Sequence, residues 1–196
     1  MRQRFRSIGM GKIVVIAASW GGVTAVRSIV TGLSKPCAAS IFVVLHIGAL
    51  PTLLPEVLGM ATTLPVKLAA SGMRIEPGHI FVAPSDQHML IAPGYIGLRR
   101  SPKVHHTRPA ADPLFESAAN AYGGDVIGIV LTGGDGDGAA GLRAIKERGG
   151  LTIVQDPHEA EARGMPLAAI AAAQPHLCLR LADIGDCVQA LCAGAG

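Results

Sequence analysis

Three segments of the chain end in residues that could act on one another chemically. Ile16-Ala17-Ala18-Ser19-Trp20-Gly21-Gly22 closes an apolar run on a hydroxyl beside two glycines. Val43-Val44-Leu45-His46 closes a second run on an imidazole. Leu131-Thr132-Gly133-Gly134-Asp135-Gly136-Asp137-Gly138 closes a third on two carboxylates set among glycines. Acyl transfer uses this trio of groups: a nucleophile, a base that takes its proton, and a carboxylate that holds the base's tautomer. The chain order Ser, His, Asp differs from the known hydrolase and protease orders, which is allowed because the arrangement is defined by geometry. Each segment alone also has a plainer use. A glycine-rich first turn more often binds phosphate at a helix start. The spacing around Ser19 nevertheless fits neither G-x-G-x-x-G nor the P-loop, and Ala17 breaks the G-x-S-x-G elbow. A lone His at a strand end is more often a packing or surface residue, and an Asp before a helix is often an N-cap. Ala139 and Gly141 fall where a calcium loop would need oxygen ligands.

The elements around these segments must bring them to one place. Lys12–Ala18, Ile41–Leu45, Val126–Leu131 and Leu151–Val154 read as short, continuously apolar strands. Helical patterns follow at Val23–Val30, through Leu53, Leu54, Val57 and Leu58, and at Ala139–Lys146. Such strands, separated by helices, predict a doubly wound α/β fold with a mostly parallel sheet covered on both faces. In that fold, sites collect at the carboxyl ends of the strands. Residues 66–108 differ: Ile80–Ala83, His88–Ile91 and Ile96–Arg99 read as short strands punctuated by Pro and Gly, with a hairpin at Pro93-Gly94. This stretch is expected to form a short antiparallel β-hairpin insertion. Asp112–Tyr122 is predicted to be a helix, with Asp112 as its cap and Pro113 in the first turn. Met89 and Met165 are expected in the core, and Asp86 and His88 as turn and hairpin residues.

These same residues carry a resemblance. The chain is similar to the catalytic domain of the chemotaxis protein-glutamate methylesterases, the CheB family, through six blocks in the family's order. They are Ile16–Gly22, Val43–His46, Phe81–His88, Arg108–Phe115, Leu131–Gly141, and Val154–Pro157 with Gly164–Pro166. The resemblance implies that Ser19 is the nucleophile, His46 the base and Asp137, rather than Asp135, the orienting carboxylate. It implies a parallel-sheet α/β fold, hydrolysis of γ-glutamyl methyl esters on chemoreceptors, and deamidation of glutamines. No metal or cofactor is implied. The oxyanion would face the backbone N–H of Trp20 and a second donor in the Gly133–Gly134 loop, assigned to Gly134. Two residues depart from the family pattern. Trp20 follows the serine where the family has Thr or Ala, and Asp135 adds a carboxylate to a loop that usually reads Gly-Met-Gly-x-Asp. A catalytically idle or redirected binding module, with Trp20 closing the pocket, is the alternative.

Composition restricts the partners. The 196 residues are 49% hydrophobic and 16% charged, which excludes disorder for most of the chain. Aromatics make up 4%, too few for a single-strand stacking platform. Lys and Arg number 17 against 14 Asp and Glu, too small an excess to indicate nucleic acid. No apolar run approaches the roughly 18 residues that cross a bilayer. Cys37, Cys178, Cys187 and Cys192 form no C-x-x-C pair, as expected of reduced thiols in cytoplasm. Residues 1–11 are expected to be a frayed basic leader and 12–196 one domain. With 18 residues ahead of Ser19, no receiver domain is expected, so activity would be constitutive or set by a separate regulatory protein. The expected partner is a methylated chemoreceptor or a receptor-like helical protein. Arg99, Arg100, Lys103, His105, His106 and Arg108 form a basic stretch, a solvated loop or a docking surface for an acidic helix bundle.

Overall fold

The computed structural model describes residues 11–192 apart from Gly32, Ile47, Ala49, Leu50 and Pro51. All of the expected leader except Gly11 lies outside the described residues. The first half of the fold runs β1 (Ile13–Ala18), α1 (Gly22–Thr31), β2 (Ser40–Leu45), α2 (Leu54–Gly59), β3 (Val66–Leu68) and β4 (Ile80–Val82). A hairpin of β5 (His88–Ala92) and β6 (Tyr95–Arg99) leads to α3 (Ala111–Tyr122). The second half runs β7 (Val126–Val130), α4 (Ala139–Glu147), β8 (Leu151–Gln155), α5 (Gly164–Ala173), β9 (Leu177–Leu179) and α6 (Leu181–Cys192).

Seven strands form one parallel sheet in the order β3-β4-β2-β1-β7-β8-β9. Every residue of β1, β2 and β7 is buried, as continuous β-branched and apolar runs require when both faces are covered. The pleat divides them between two cores. Val14, Ile16 and Ala18 pack with Val26, Ile29, Ile184 and Val188 of α1 and α6. Ile13, Val15 and Ala17 pack with Leu114, Phe115, Leu142 and Ala169 of α3, α4 and α5, and with Met89 and Met165. The chain leaves β1 for β2 on one side and pairs it with β7 on the other. The loops after these strands therefore open the crevice at the sheet's switch point.

The doubly wound parallel fold agrees with the expectation, and the insertion is smaller than expected. Ile80–Val82 joins the main sheet between β2 and β3, leaving only β5 and β6 antiparallel. A three-residue strand has no period, so its partner is chosen by the neighbouring strands. Asp112 also departs from its expected role. It lies inside the first turn of α3, whose N-cap, Ala110, has no side-chain hydrogen bond. The capping carboxylate is that of Asp137, which accepts the N–H groups of Ala111 and Asp112 from the loop before α4. Asp112 returns the exchange by accepting the Gly141 N–H of α4 at 2.7 Å. Two helix N-termini are thus each satisfied by a carboxylate from the other's entry.

A second clamp holds the hairpin. Asp86, at φ 59° in the turn before β5, accepts Arg100 Nε at 3.1 Å and Arg108 Nε at 2.9 Å. His88 is buried, with Nε2 on the Pro102 carbonyl and Nδ1 accepting the Ala110 N–H. Among the described residues no helix is long and apolar enough to cross a membrane, and Cys37, Cys178 and Cys187 form no disulfide.

Two stability measurements test these contacts. A Cβ at Gly141 would lie 2.4 Å from Phe115 Cβ and 3.2 Å from the Asp112 backbone. Gly141→Ala should therefore cost about 1–3 kcal/mol in urea denaturation, and an unchanged midpoint would show that α3 and α4 pack loosely there. The guanidinium groups of Arg100 and Arg108 hold the Asp86 carboxyl down from its ordinary 3.8 to about 2. A depressed folded value means that the clamp stabilises above pH 3.8 and weakens as pH falls toward 2. Asp86→Asn should flatten the loss of stability over that window, as read by acid titration of the far-UV signal.

Candidate active site

Ser19 is the first residue beyond β1. Its N–H donates to the Thr132 carbonyl at 2.9 Å, and its own carbonyl accepts the Gly22 N–H at 2.8 Å where α1 begins. His46 is the first residue beyond β2, and its N–H donates to the Ala18 carbonyl at 3.1 Å. The register Ala17↔Val44, Ala18↔Leu45 thus places His46 alongside Ser19. Ser19 Oγ makes no hydrogen bond among the described residues. The expected neighbours are brought together, without a bond between hydroxyl and imidazole.

His46 and Asp137 are joined. Nε2 lies 2.7 Å from Asp137 Oδ2 in a pair whose side chains are 7% and 0% exposed. Burial pushes the Asp137 carboxyl up, but the His46 hydrogen bond and the Ala111 and Asp112 N–H groups outweigh it. The carboxyl is held below its ordinary value. An ionised carboxylate can only accept, so the network places a proton on Nε2, and in the neutral imidazole Nδ1 is then the acceptor. That Nδ1 is buried without a hydrogen-bond partner. The tautomer is the one a general base needs.

Asp135 approaches the same ring from its other edge. Its Oδ2 lies 3.5 Å from Nδ1, and its Oδ1 accepts the Asp137 N–H at 3.1 Å. Asp137 therefore binds the imidazole directly, while Asp135, 35% exposed, turns the loop and faces the free nitrogen. The desolvated Asp112 is different again. Burial and the nearby Asp137 charge raise its carboxyl, against the opposing Gly141 N–H and His105.

The β7–α4 loop reaches Ser19 because Gly133 has no side chain. A Cβ there would sit 2.0 Å from Met165 Sδ and 2.9 Å from Ser19 Cβ. Thr132 holds the surrounding segments. Its N–H donates to Gln155 Oε1, its Oγ1 donates to the Trp20 carbonyl, and its Oγ1 accepts the Ala162 N–H. Thr132 and Gln155 carry no role in the sequence pattern, and Asp112 reads there only as a helix cap. Thr132 stood in a quoted block, but nothing in one sequence shows that a Thr will bridge three loops. The amide N–H groups expected to face an oxyanion, those of Trp20 and Gly134, have no protein acceptor among the described residues. Trp20 is 70% exposed, so its side chain is not packed into the fold.

A cavity of about 200 Å³ opens at His46, lined by Gly48, Asp86, Lys103, His106, Thr107 and Arg108. A larger one, about 460 Å³, lies among Lys35, Pro36, Cys37, Pro65 and His79, which flank the opposite ends of β2 and β4. Ligand atoms of His105, Asp112 and Asp137 lie within 4.8 Å of one another. Their carboxylates, however, already accept the Ala111, Asp112, Gly138 and Gly141 N–H groups, so the trio does not present an open metal site.

A sequence model of the CheB methylesterase family matches residues 14–188. A protein-glutamate methylesterase/protein-glutamine glutaminase of Bordetella pertussis is 37% identical over 180 residues, covering 89% of this chain and 51% of that protein. A Leptospira interrogans protein whose name gives the same two activities provisionally is 37% identical over 175 residues, covering 88% and 91%. The chain thus spans about half the length of the first of these relatives and most of the second. The crystal structure of the Thermotoga maritima CheB methylesterase catalytic domain superposes with a TM-score of 0.87 at 32% identity, covering 92% of this chain and 98% of that one. With this fold, and with a buried His–carboxylate pair beside a strand-end serine, the chain belongs to the CheB methylesterase family.

Proposed function

We propose that this chain is a serine hydrolase that removes methyl esters from glutamate side chains of methylated chemoreceptor-like proteins in the cytoplasm. Glutamine deamidation would follow the same route. The observation that carries this reading is the buried Nδ1 of His46, which makes no hydrogen bond while Asp137 holds Nε2, next to Ser19 at the adjoining strand end. His46 Nδ1 takes the Ser19 proton as Oγ bonds to the ester carbonyl carbon. The oxyanion that forms lies toward the Trp20 and Gly134 N–H groups. Collapse of this intermediate breaks the bond to methoxide, which leaves as methanol with the proton from His46. Water then repeats the sequence on the acyl-enzyme and releases the carboxylate. The names of the relatives support this chemistry. The outward Trp20 ring favours an open site over the idle module.

Methanol release from a methylated receptor tests the roles. Ser19→Ala should lower it by about 10³-fold or more, with an unchanged far-UV spectrum, and His46→Ala should match it because triad members act as a unit. Asp137→Asn should reduce activity less and also lower stability, since one amide group would then face the N–H groups it now accepts. Greater damage from Asp135→Asn than from Asp137→Asn would move the orienting role to Asp135. Trp20→Thr should leave turnover within about threefold, because it keeps the backbone N–H assigned to the oxyanion and removes only an exposed side chain.

A further inference from the structure

The catalytic crevice is electrically lopsided. On the side of Ser19, the Asp135 carboxylate lies 3.5 Å from His46 Nδ1, and Glu161 packs so closely that a Cβ at Gly21 would come within 2.4 Å of its carboxylate. On the other side, the cavity at His46 is lined by Lys103, His106 and Arg108, with Asp86 as its acidic member. Asp86 is fully engaged by Arg100 and Arg108. The cavity thus sets one carboxylate, Asp86, against two permanent cations, Lys103 and Arg108, while Arg100 neutralises Asp86 from outside it. Among the described residues, Lys103 and His106 make no hydrogen bond or ion pair, although both border the cavity that contains the proposed base.

Their platform is rigid. Val104 and Thr107 exchange backbone hydrogen bonds at 3.1 and 2.9 Å, and the Thr107 hydroxyl donates to the Val104 carbonyl at 3.0 Å. The two residues at the tip, His105 and His106, have φ of 47° and 61°, a conformation that such turns normally give to Asn and Gly. His105 is held by its Nε2, 3.2 Å from Asp112 Oδ2, and Asp112 donates its N–H to Asp137. The strained turn is thereby tied to the carboxylate that orients His46. Strain retained beside a reacting centre points to a role there.

We infer that Lys103 and His106 form a carboxylate-binding subsite that reads an acidic side chain near the scissile ester on the same polypeptide. The inference rests on the hydrolase reading of Ser19, His46 and Asp137. The acidic flank formed by Asp135 and Glu161 would repel that side chain, so the charge asymmetry also sets the direction in which the polypeptide crosses the crevice. Neither residue touches the reacting atoms. They are specificity determinants, and their removal is expected to act on KM rather than kcat.

The test uses two synthetic peptides, each with one glutamyl γ-methyl ester flanked on both sides by either Glu or Ser. A Lys103→Gln/His106→Asn double variant keeps a residue that tolerates positive φ at 106. The wild type should favour the Glu-flanked peptide. In the double variant KM for that peptide should rise about fivefold, kcat should stay within twofold, and KM for the Ser-flanked peptide should not move. Equal KM changes for both peptides, or no preference in the wild type, would overturn the subsite. Affinities measured by calorimetry on the Ser19→Ala chain, with and without the double change, provide the same comparison without turnover. Absence of turnover in the wild type would count against the hydrolase reading, whereas loss of the Glu preference in these affinities counts against the subsite alone.

Discussion

The carboxylate of Asp137 is fully buried, and an ionised group in that position costs several kcal/mol unless its oxygens are engaged. Here they accept the first two N–H groups of α3, the N–H of Gly138 and the Nε2 proton of His46. Each contact serves two ends. The helix start gains a cap it lacks in its own sequence, and the charge that orients the imidazole gains the donors that keep it ionised. Asp112 performs the converse service for α4, so the two helices are locked to each other through the groups that hold the site. Disturbing the packing of α3 against α4 therefore acts directly on His46.

The parallel sheet supplies the rest. With β1 central and its neighbours β2 and β7 arriving from opposite directions in chain order, three loops must emerge side by side. The loop after β7 can lie against Ser19 only because Gly133 leaves the space that Met165 and Ser19 occupy. Thr132 and Gln155, both buried, then satisfy the backbone groups that such close approach would otherwise strand. The N–H groups of Trp20 and Gly134 are left without a protein acceptor among the described residues, and His46 Nδ1 without a hydrogen bond.

Asp135 gives this site a feature of its own. It uses one oxygen to turn the loop and points the other at the free edge of His46. The imidazole consequently lies between a buried carboxylate that is hydrogen-bonded to it and a more exposed one that is not. The basic wall beyond it, anchored by the Asp86 clamp, makes the crevice asymmetric in charge as well as in shape.

The sequence by itself determined the fold class and the three strand ends. Short apolar runs such as Ile13–Ala18, separated by helical stretches, suit a parallel sheet covered on both faces, in which the residues that follow the strands gather at one edge. It also determined that Met89 and Met165 lie in the core. Elements without a period escaped it. β3 is three residues long, and the evenly apolar, Ala-rich α5 has no polar face to betray a helix. Only the tertiary structure decided that Ile80–Val82 belongs to the main sheet, that Asp137 rather than Asp112 caps α3, and that Trp20 faces solvent. It alone also decided which nitrogen of His46 is left open. The sheet partners of Ile80–Val82 and the capping by Asp137 depend on residues well separated in the chain meeting in space, and local pattern carries no information about such pairings.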